Sequence, residues 1–394
     1  MSSNHPAWDD VAIASAEGQY GSAAQGMKAD NDPATRLRVV EIDAETDRRW
    51  AEFVTAHPEG HLYHHPAWSQ VIAETYGYRP AHLACEDAAG NLHGVLPLFS
   101  QRGLLSGRRL VSLPHTPVCG PLTTSRAATA ALLRAAVERA GADGHQGLLI
   151  KADAPDLSTD IPGLVPVQWD PTYIVDLPSP PRPPAFSSAR HRERIKRAVK
   201  KALKNGVVTR EVQTRDELRD WYHLYLTTMR RLGVPPRSFR FFTVAWERLR
   251  PLGLMSVLLA ELPTSNGTQM LGGCVYFACA RTTLFAFTGY RQDALSLRPN
   301  DLIQWTAIHT AWEQGHHRFD LGEVEPGDDG LARYKLKWGA EPRPLYRYFY
   351  PAPKDVVMDV VASRGRVRAA AQATWRILPL AVTQQLGEWI YQYL

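Results

Sequence analysis

Leu177-Pro178-Ser179-Pro180-Pro181-Arg182-Pro183-Pro184 places five prolines in eight positions near the middle of the chain. Proline has no amide proton and a fixed φ, so such a run enters neither a helix interior nor a central strand. It reads as a stiff junction between folded units. The 394 residues it divides are more than one hydrophobic core ordinarily supports. The expected division is a disordered tail over 1–36, a first domain over 37–170, a second over 171–353 and a helical extension over 354–394.

The two sides of the junction carry a similar succession of elements. In the first, Arg36–Ile42 alternates as a strand and Trp50–Ala56 follows as a helix. Pro66 opens a helix whose apolar spacing runs through Trp68, Val71, Ile72 and Tyr76. Strands at His82–Glu86 and Leu92–Phe99 flank a turn, a proline-bound loop covers Leu113–Pro121, and a helix runs from Ala127 to a stop at Gly141. In the second, a helix over Arg190–Lys204 precedes a strand at Val207–Val212, and Thr214 with Glu217 forms a capping box for a helix ending at Gly233. A helix over Phe241–Leu249 leads to strands Met255–Leu262 and Met270–Cys279, joined near Asn266-Gly267, and to a strand at Thr283–Thr288. Asn300 or Asp301 caps a helix reaching Gly315, and His317–Leu321 is the last strand. This order predicts an α/β (α+β) fold with mixed sheets, duplicated along the chain.

Composition sets bounds on function. An apolar share of 44% and a charged share of 22% are those of a globular protein. Cys85, Cys119, Cys274 and Cys279 form no Cys-x-x-Cys pair or Cys/His cluster, so they read as reduced, mostly buried thiols and no metal is expected. His64, His65, His115, His316 and His317 likewise form no ligand or triad pattern. No stretch approaches the length of a membrane span and no signal segment is visible, which predicts a cytoplasmic protein.

Chemistry concentrates at Phe319-Asp320-Leu321-Gly322-Glu323-Val324-Glu325-Pro326 and the following Gly330–Gly339. A strand ending in carboxylates is followed by two lysines beside aromatic rings, a set that can take a proton from an attacking amine and stabilise developing negative charge. Asp320, Glu323 and Glu325 are the candidate bases, with Asp320 the more structural of them and Glu323 preferred; Lys335 is the candidate for an oxyanion or an acceptor phosphate, and Lys337 is its rival. The helix over 190–204 carries Arg190, Arg192, Arg194, Lys196, Arg197, Lys200, Lys201 and Lys204 against Glu193 alone. Ile195, Ala198, Val199, Ala202 and Leu203 repeat at helical spacing, so one face packs and the other presents cations to phosphates, or simply to solvent. From Val356 to Leu394, arginines precede an aromatic-rich amphipathic stretch that either lies on an anionic membrane surface or packs back on the protein.

Taken together, Leu62-Tyr63-His64-His65-Pro66-Ala67-Trp68, Gly94–Leu98, Leu110–Pro114, the basic helix, Leu232-Gly233-Val234-Pro235, Arg298-Pro299-Asn300 and the Asp320–Gly339 region resemble the FemAB-like proteins. The resemblance covers roughly residues 60 to 350 and implies two GNAT-like domains. It also implies amide formation from an activated acyl donor. In that family the donor is aminoacyl-tRNA and the acceptor an amine of a peptidoglycan precursor, while related members are acetyltransferases of envelope or exopolysaccharide components. The family's Phe-Lys pair falls on Tyr334-Lys335, with tyrosine in place of phenylalanine. Expected substrate contacts are Tyr334, Lys337, Tyr290, Arg298 and His115, with Arg190, Arg194, Lys196, Arg197, Lys200, Lys201 and Lys204 on tRNA or another phosphate-bearing ligand. Acyl-CoA-dependent GNAT proteins cradle pyrophosphate in a glycine-containing loop, and the corresponding Tyr290–Asp301 has no glycine. The favoured expectation is therefore aminoacyl-tRNA as donor substrate, with no tightly bound cofactor and an anionic, amine-bearing acceptor. An acetyl-CoA-dependent N- or O-acetyltransferase and a non-catalytic binder of an anionic polymer or lipid are the alternatives, and peripheral membrane contact is expected through the C-terminal helix.

Overall fold

The computed structural model describes residues 37–103, 107–159, 161–184, 186, 188–352 and 372–391. The expected tail over 1–36, residue 353, and the start and end of the C-terminal extension, 354–371 and 392–394, lie outside the described residues. The first half contains β1 (Arg38–Glu41), α1 (Arg48–Ala56), α2 (Pro66–Tyr76), β2 (Arg79–Pro80), β3 (Leu83–Glu86), β4 (Leu92–Leu96), β5 (Phe99–Gly103), β6 (Gly107–Val111), β7 (Leu122–Thr123), α3 (Arg126–Ala142) and β8 (Leu148–Ala152). The second contains β9 (Val165–Asp176), α4 (Ala189–Lys204), β10 (Val208–Glu211), α5 (Arg215–Leu232), α6 (Phe239–Leu249), β11 (Met255–Thr264), β12 (Gly267–Cys279) and β13 (Thr282–Tyr290). It continues through α7 (Pro299–Glu313), β14 (Arg318–Glu323), α8 (Asp329–Lys337), β15 (Glu341–Tyr350) and α9 (Leu380–Ile390).

Most strands join one sheet in the order β10-β11-β12-β13-β14-β9-β15-β8-β6-β5-β2, and β1-β3-β4-β7 form a second. Each half contributes one parallel pair bridged by a helix, β6 with β8 across α3 and β13 with β14 across α7. The large sheet runs through both halves. β9 lies between β14 and β15, antiparallel to both, and β15 continues onto β8 of the first half. The expected domain border at 170 thus falls inside β9, and the proline run connects β9 to α4.

Three local expectations are corrected. The strand expected over Leu92–Phe99 is two strands in different sheets, β4 and β5, because Pro97 cannot donate to the ladder. The α3 helix runs through Gly141 to Ala142, so Gly141 does not stop it. The α7 helix begins at Pro299, not after Asn300 or Asp301: proline takes the first helical position and Arg298, at φ 65°, is the N-cap without a side-chain bond. The capping box of Thr214 and Glu217 is present, and Gly233 ends α5 at φ 74°.

A core cluster joins the halves. Trp68 of α2 meets Phe241 of α6 and Phe277 of β12 edge-on, with centroids 6.0 and 5.0 Å apart. Behind it α5 lies directly on β13: a Cβ at Gly289 would fall 2.5 Å from the Tyr225 backbone nitrogen. Gly289→Ala is expected to force α5 from the sheet and cost about 1–3 kcal/mol, the usual range for overpacking. Urea unfolding checks this; a variant as stable as the parent would mean that α5 is free to shift.

Candidate active site

β13 and β14 pair only through Thr282–Arg318, Thr283–Phe319 and Leu284–Asp320. Beyond that register both continue without pairing to each other, β13 to Tyr290 and β14 to Glu323, so the parallel strands part. On its other edge β14 pairs with β9, with an irregularity between Asp320 and Glu323. Gly322, at φ 80°, sits within it.

Lys335 reaches the end of β14 from α8, whose first turn is capped by Asp328 accepting from the Leu331 amide. The Lys335 side chain is buried, and its Nζ donates to the carbonyls of Gly322 at 2.8 Å and Glu323 at 3.0 Å. Burial lowers its pKa to about 8, against the attraction of Asp320 and Glu323. Asp320 accepts from Thr172 Oγ1 at 2.6 Å and from the Gly322 amide at 2.7 Å. Desolvation nevertheless holds its carboxyl above the ordinary range. Glu323 is also raised by desolvation, partly offset by Arg347, whose Nη2 lies 3.5 Å from Glu323 Oε1.

The two candidate carboxylates and Lys335 are therefore brought together. Tyr334 is on the same helix, its hydroxyl pKa raised by burial. Lys337 is committed elsewhere: its Nζ pairs with Asp301 Oδ1 at 2.6 Å in the first turn of α7 and lies 4.8 Å from the rings of Tyr334 and Trp338. Tyr290 ends β13 with its ring 4.5 Å from the Arg231 guanidinium, and Arg298 is exposed at the N-cap of α7. On α4, Ile195, Val199 and Ala202 are buried, Lys196 is half-buried 3.7 Å from Glu193, and Arg190, Arg194, Arg197, Lys200, Lys201 and Lys204 are exposed. Phe186, just before α4, packs on Trp338 just after α8, which brings the start of the cationic helix toward the end of the Lys335 helix.

His115 belongs to a second polar group on the first-half side. Its Nε2 is 3.1 Å from the Tyr78 hydroxyl, and burial keeps the ring neutral. Leu113 and His115, at φ 49° and 61°, hold a strained loop whose carbonyls point at buried cations. Lys151 donates to Leu113 O at 3.0 Å and Thr116 O at 3.1 Å, Arg237 to His115 O at 2.8 Å, and Arg347 to Pro117 O at 2.6 Å. Tyr63 stands between the groups, its hydroxyl pKa raised first by burial and then by Asp320. Cys119 donates to Tyr63 O at 3.3 Å, and burial pushes its thiol up, so it is not an activated nucleophile.

Sequence reasoning passed over Lys151, Arg347, Arg237 and Tyr63 as site residues. The available signal was a lone cation inside an apolar strand, as in Leu148-Leu149-Ile150-Lys151-Ala152 and Tyr346-Arg347-Tyr348-Phe349. Such a residue is buried against partners that sequence does not name.

The parting of β13 from β14, the repeated α/β units and a buried lysine near two carboxylates are the features set against known proteins. Residues 189–336 match the family model described as an acetyltransferase (GNAT) domain. No curated protein matches the chain. Among solved structures, FemX is 18% identical with a TM-score of 0.60, covering 79% of this chain and 97% of its own. The C-terminal domain of a putative lysylphosphatidylglycerol synthetase from Agrobacterium fabrum is 12% identical with a TM-score of 0.53, covering 80% and 95%. L-PGS from Bacillus licheniformis is 13% identical with a TM-score of 0.51, covering 75% and 95%. These likenesses show the fold alone, and the domain match over residues 189–336 supports an acyltransferase.

Asp320→Asn preserves an acceptor for Thr172 and Gly322 while removing the buried charge. Because the folded pKa is raised, the carboxylate weakens folding increasingly as pH rises above the ordinary aspartate range of about 4. The difference in melting temperature, variant minus parent, is expected to grow from pH 4 to pH 7. A pH-independent difference would show that Asp320 carries its charge without penalty.

Proposed function

We propose that the protein transfers an aminoacyl group from aminoacyl-tRNA to an amine on an anionic acceptor, forming an amide. The observation that carries this reading is Lys335, buried between two β14 carbonyls and flanked by Asp320 and Glu323 where β13 and β14 part. Glu323, held above its usual pKa, takes the proton that the acceptor amine must lose as it attacks. Lys335 donates to the oxyanion that develops on the acyl carbon, exchanging a carbonyl partner for it. The amine nitrogen bonds to that carbon, the bond from the carbon to the tRNA ribose oxygen breaks, and that oxygen leaves with the proton Glu323 took up.

Donor choice is supported by the first turn of α7, where Asp301 already stands, nearly buried and paired with Lys337. A carboxylate in that turn competes with a pyrophosphate for the helix terminus. The exposed cations of α4, next to α8 through Phe186 and Trp338, offer a surface for tRNA phosphates. One of the fold relatives is named a putative lysylphosphatidylglycerol synthetase, an activity that would join an amino acid to an anionic molecule. The competing donor, acetyl-CoA, is favoured by the description of the matched domain.

Thermal unfolding with acetyl-CoA and, at matched salt, with charged and uncharged tRNA separates the donors. A ligand at about 100 times its dissociation constant stabilises by roughly 2.7 kcal/mol. The expected result is a larger shift with charged than with uncharged tRNA and none with acetyl-CoA; a saturable acetyl-CoA shift overturns the assignment. With the donor in hand, Lys335→Met is expected to lower kcat by about 100- to 1000-fold, the range for loss of an oxyanion donor. Unchanged turnover in a folded variant would remove Lys335 from the chemistry.

A further inference from the structure

Arg237, between α5 and α6, is a buried cation without a carboxylate. It is 7% exposed, and among the described residues the groups that act on its charge are tyrosines, not carboxylates. Its Nη1 is 2.6 Å from the Tyr76 hydroxyl and its Nη2 donates to His115 O, while Nε has no hydrogen-bond partner. Three aromatic rings complete the enclosure, with the guanidinium carbon 4.7 Å from the centroid of Phe241, 5.5 Å from Phe287 and 4.7 Å from Tyr391. The backbone beneath is fixed on both sides, since the Arg237 amide donates to the Tyr225 hydroxyl and Tyr222 donates to Arg237 O. A guanidinium held rigidly, desolvated and left with an unused donor is prepared for an oxyanion.

Tyr391 is the one ring of this cage that lies in the C-terminal segment. It follows α9, and Tyr78 donates to its carbonyl at 3.3 Å. The helix touches the body along a narrow stripe: Thr383 and Gly387 are buried, whereas Val382, Leu386 and Trp389 are 37%, 39% and 49% exposed. Gly387 permits the contact, because a Cβ there would fall 2.5 Å from Pro236 O, next to Arg237. No strand pairs with this helix, so it can leave without opening a ladder.

We propose that α9 is a built-in stopper over an oxyanion site at Arg237. Docked, it closes the site with the Tyr391 ring; displaced, it frees Arg237 to take a carboxylate or a phosphoryl group. The proposal is independent of the donor and acceptor assigned above, and its test reads binding rather than turnover.

Two full-length variants open the site differently. Gly387→Val lifts the helix, which limited proteolysis within α9 reports, and Tyr391→Ala removes the ring alone. Calorimetric titrations with pyrophosphate and, separately, with N-acetylglycine at fixed ionic strength are expected to show at least ten-fold tighter binding of one probe to both variants than to the parent. Which probe gains distinguishes a phosphoryl from a carboxylate ligand. Adding Arg237→Gln, or Arg237→Lys should the neutral residue prevent folding, is expected to cancel the gain. Parent-like affinity in a Gly387→Val protein with a protease-sensitive helix overturns the proposal, as does a gain that survives replacement of Arg237. Should Gly387→Val not fold, Tyr391→Ala decides alone, and unchanged affinity for both probes refutes the stopper.

Discussion

β9 has a strand on each side, β14 and β15, and through β15 it is tied to β8 of the first half. The order β14-β9-β15-β8 sets the spacing of four side chains from four strands: Glu323, Thr172, Arg347 and Lys151. Neighbouring strands lie about 4.8 Å apart, so a ladder fixes these residues more tightly than two docked domains could. Thr172 reaches Asp320 because the β9–β14 register is irregular there, and Arg347 reaches Glu323 across β9. Loss of β9 would separate the carboxylates from the first-half cations altogether.

The same arrangement explains how so much charge is tolerated inside. Lys335, Lys151, Arg237 and Arg347 are all buried, and all four donate to main-chain carbonyls rather than relying on carboxylates alone. A carbonyl dipole satisfies a donor without neutralising its charge. The strained loop from Leu113 to Pro117 supplies four such acceptors within five residues, and its two positive-φ residues turn those carbonyls inward. The cations remain charged toward one another, which is why Lys151 falls to about 7 under burial and the nearby Arg347.

Much of the fold was written in local patterns. The capping box at Thr214, the apolar stripe of α4 and the Asp320–Lys335 region all depend on residues close in sequence, and periodicity and capping chemistry report those. The strand β9 was not visible, because Val165–Asp176 contains two prolines and no clean alternation and owes its place to partners far along the chain. Pro97 carried a readable signal, the loss of a ladder donor, that the surrounding apolar run concealed. Lys337 illustrates the limit within the site: its letters rival those of Lys335, and only the fold commits it to Asp301. The C-terminal stretch reads as either lying on a membrane surface or packing back on the protein; α9 buries Thr383 and Gly387 against the body and leaves Val382, Leu386 and Trp389 exposed.

Proton affinities at the centre converge. In water an aspartate or glutamate and a lysine differ by about six pKa units, so a proton resides on the amine. Here desolvation is the largest influence on all three groups, raising Asp320 and Glu323 and lowering Lys335. Each displacement narrows the gap, because burial penalises the anion and the cation alike. An amine attacking an acyl carbon must shed a proton while the departing oxygen acquires one, and both transfers are easiest between groups of similar affinity. A solvated loop bearing the same residues would keep them at their ordinary values. The convergence therefore depends less on the identity of Glu323 and Lys335 than on their burial at the end of β14, where desolvation acts on both.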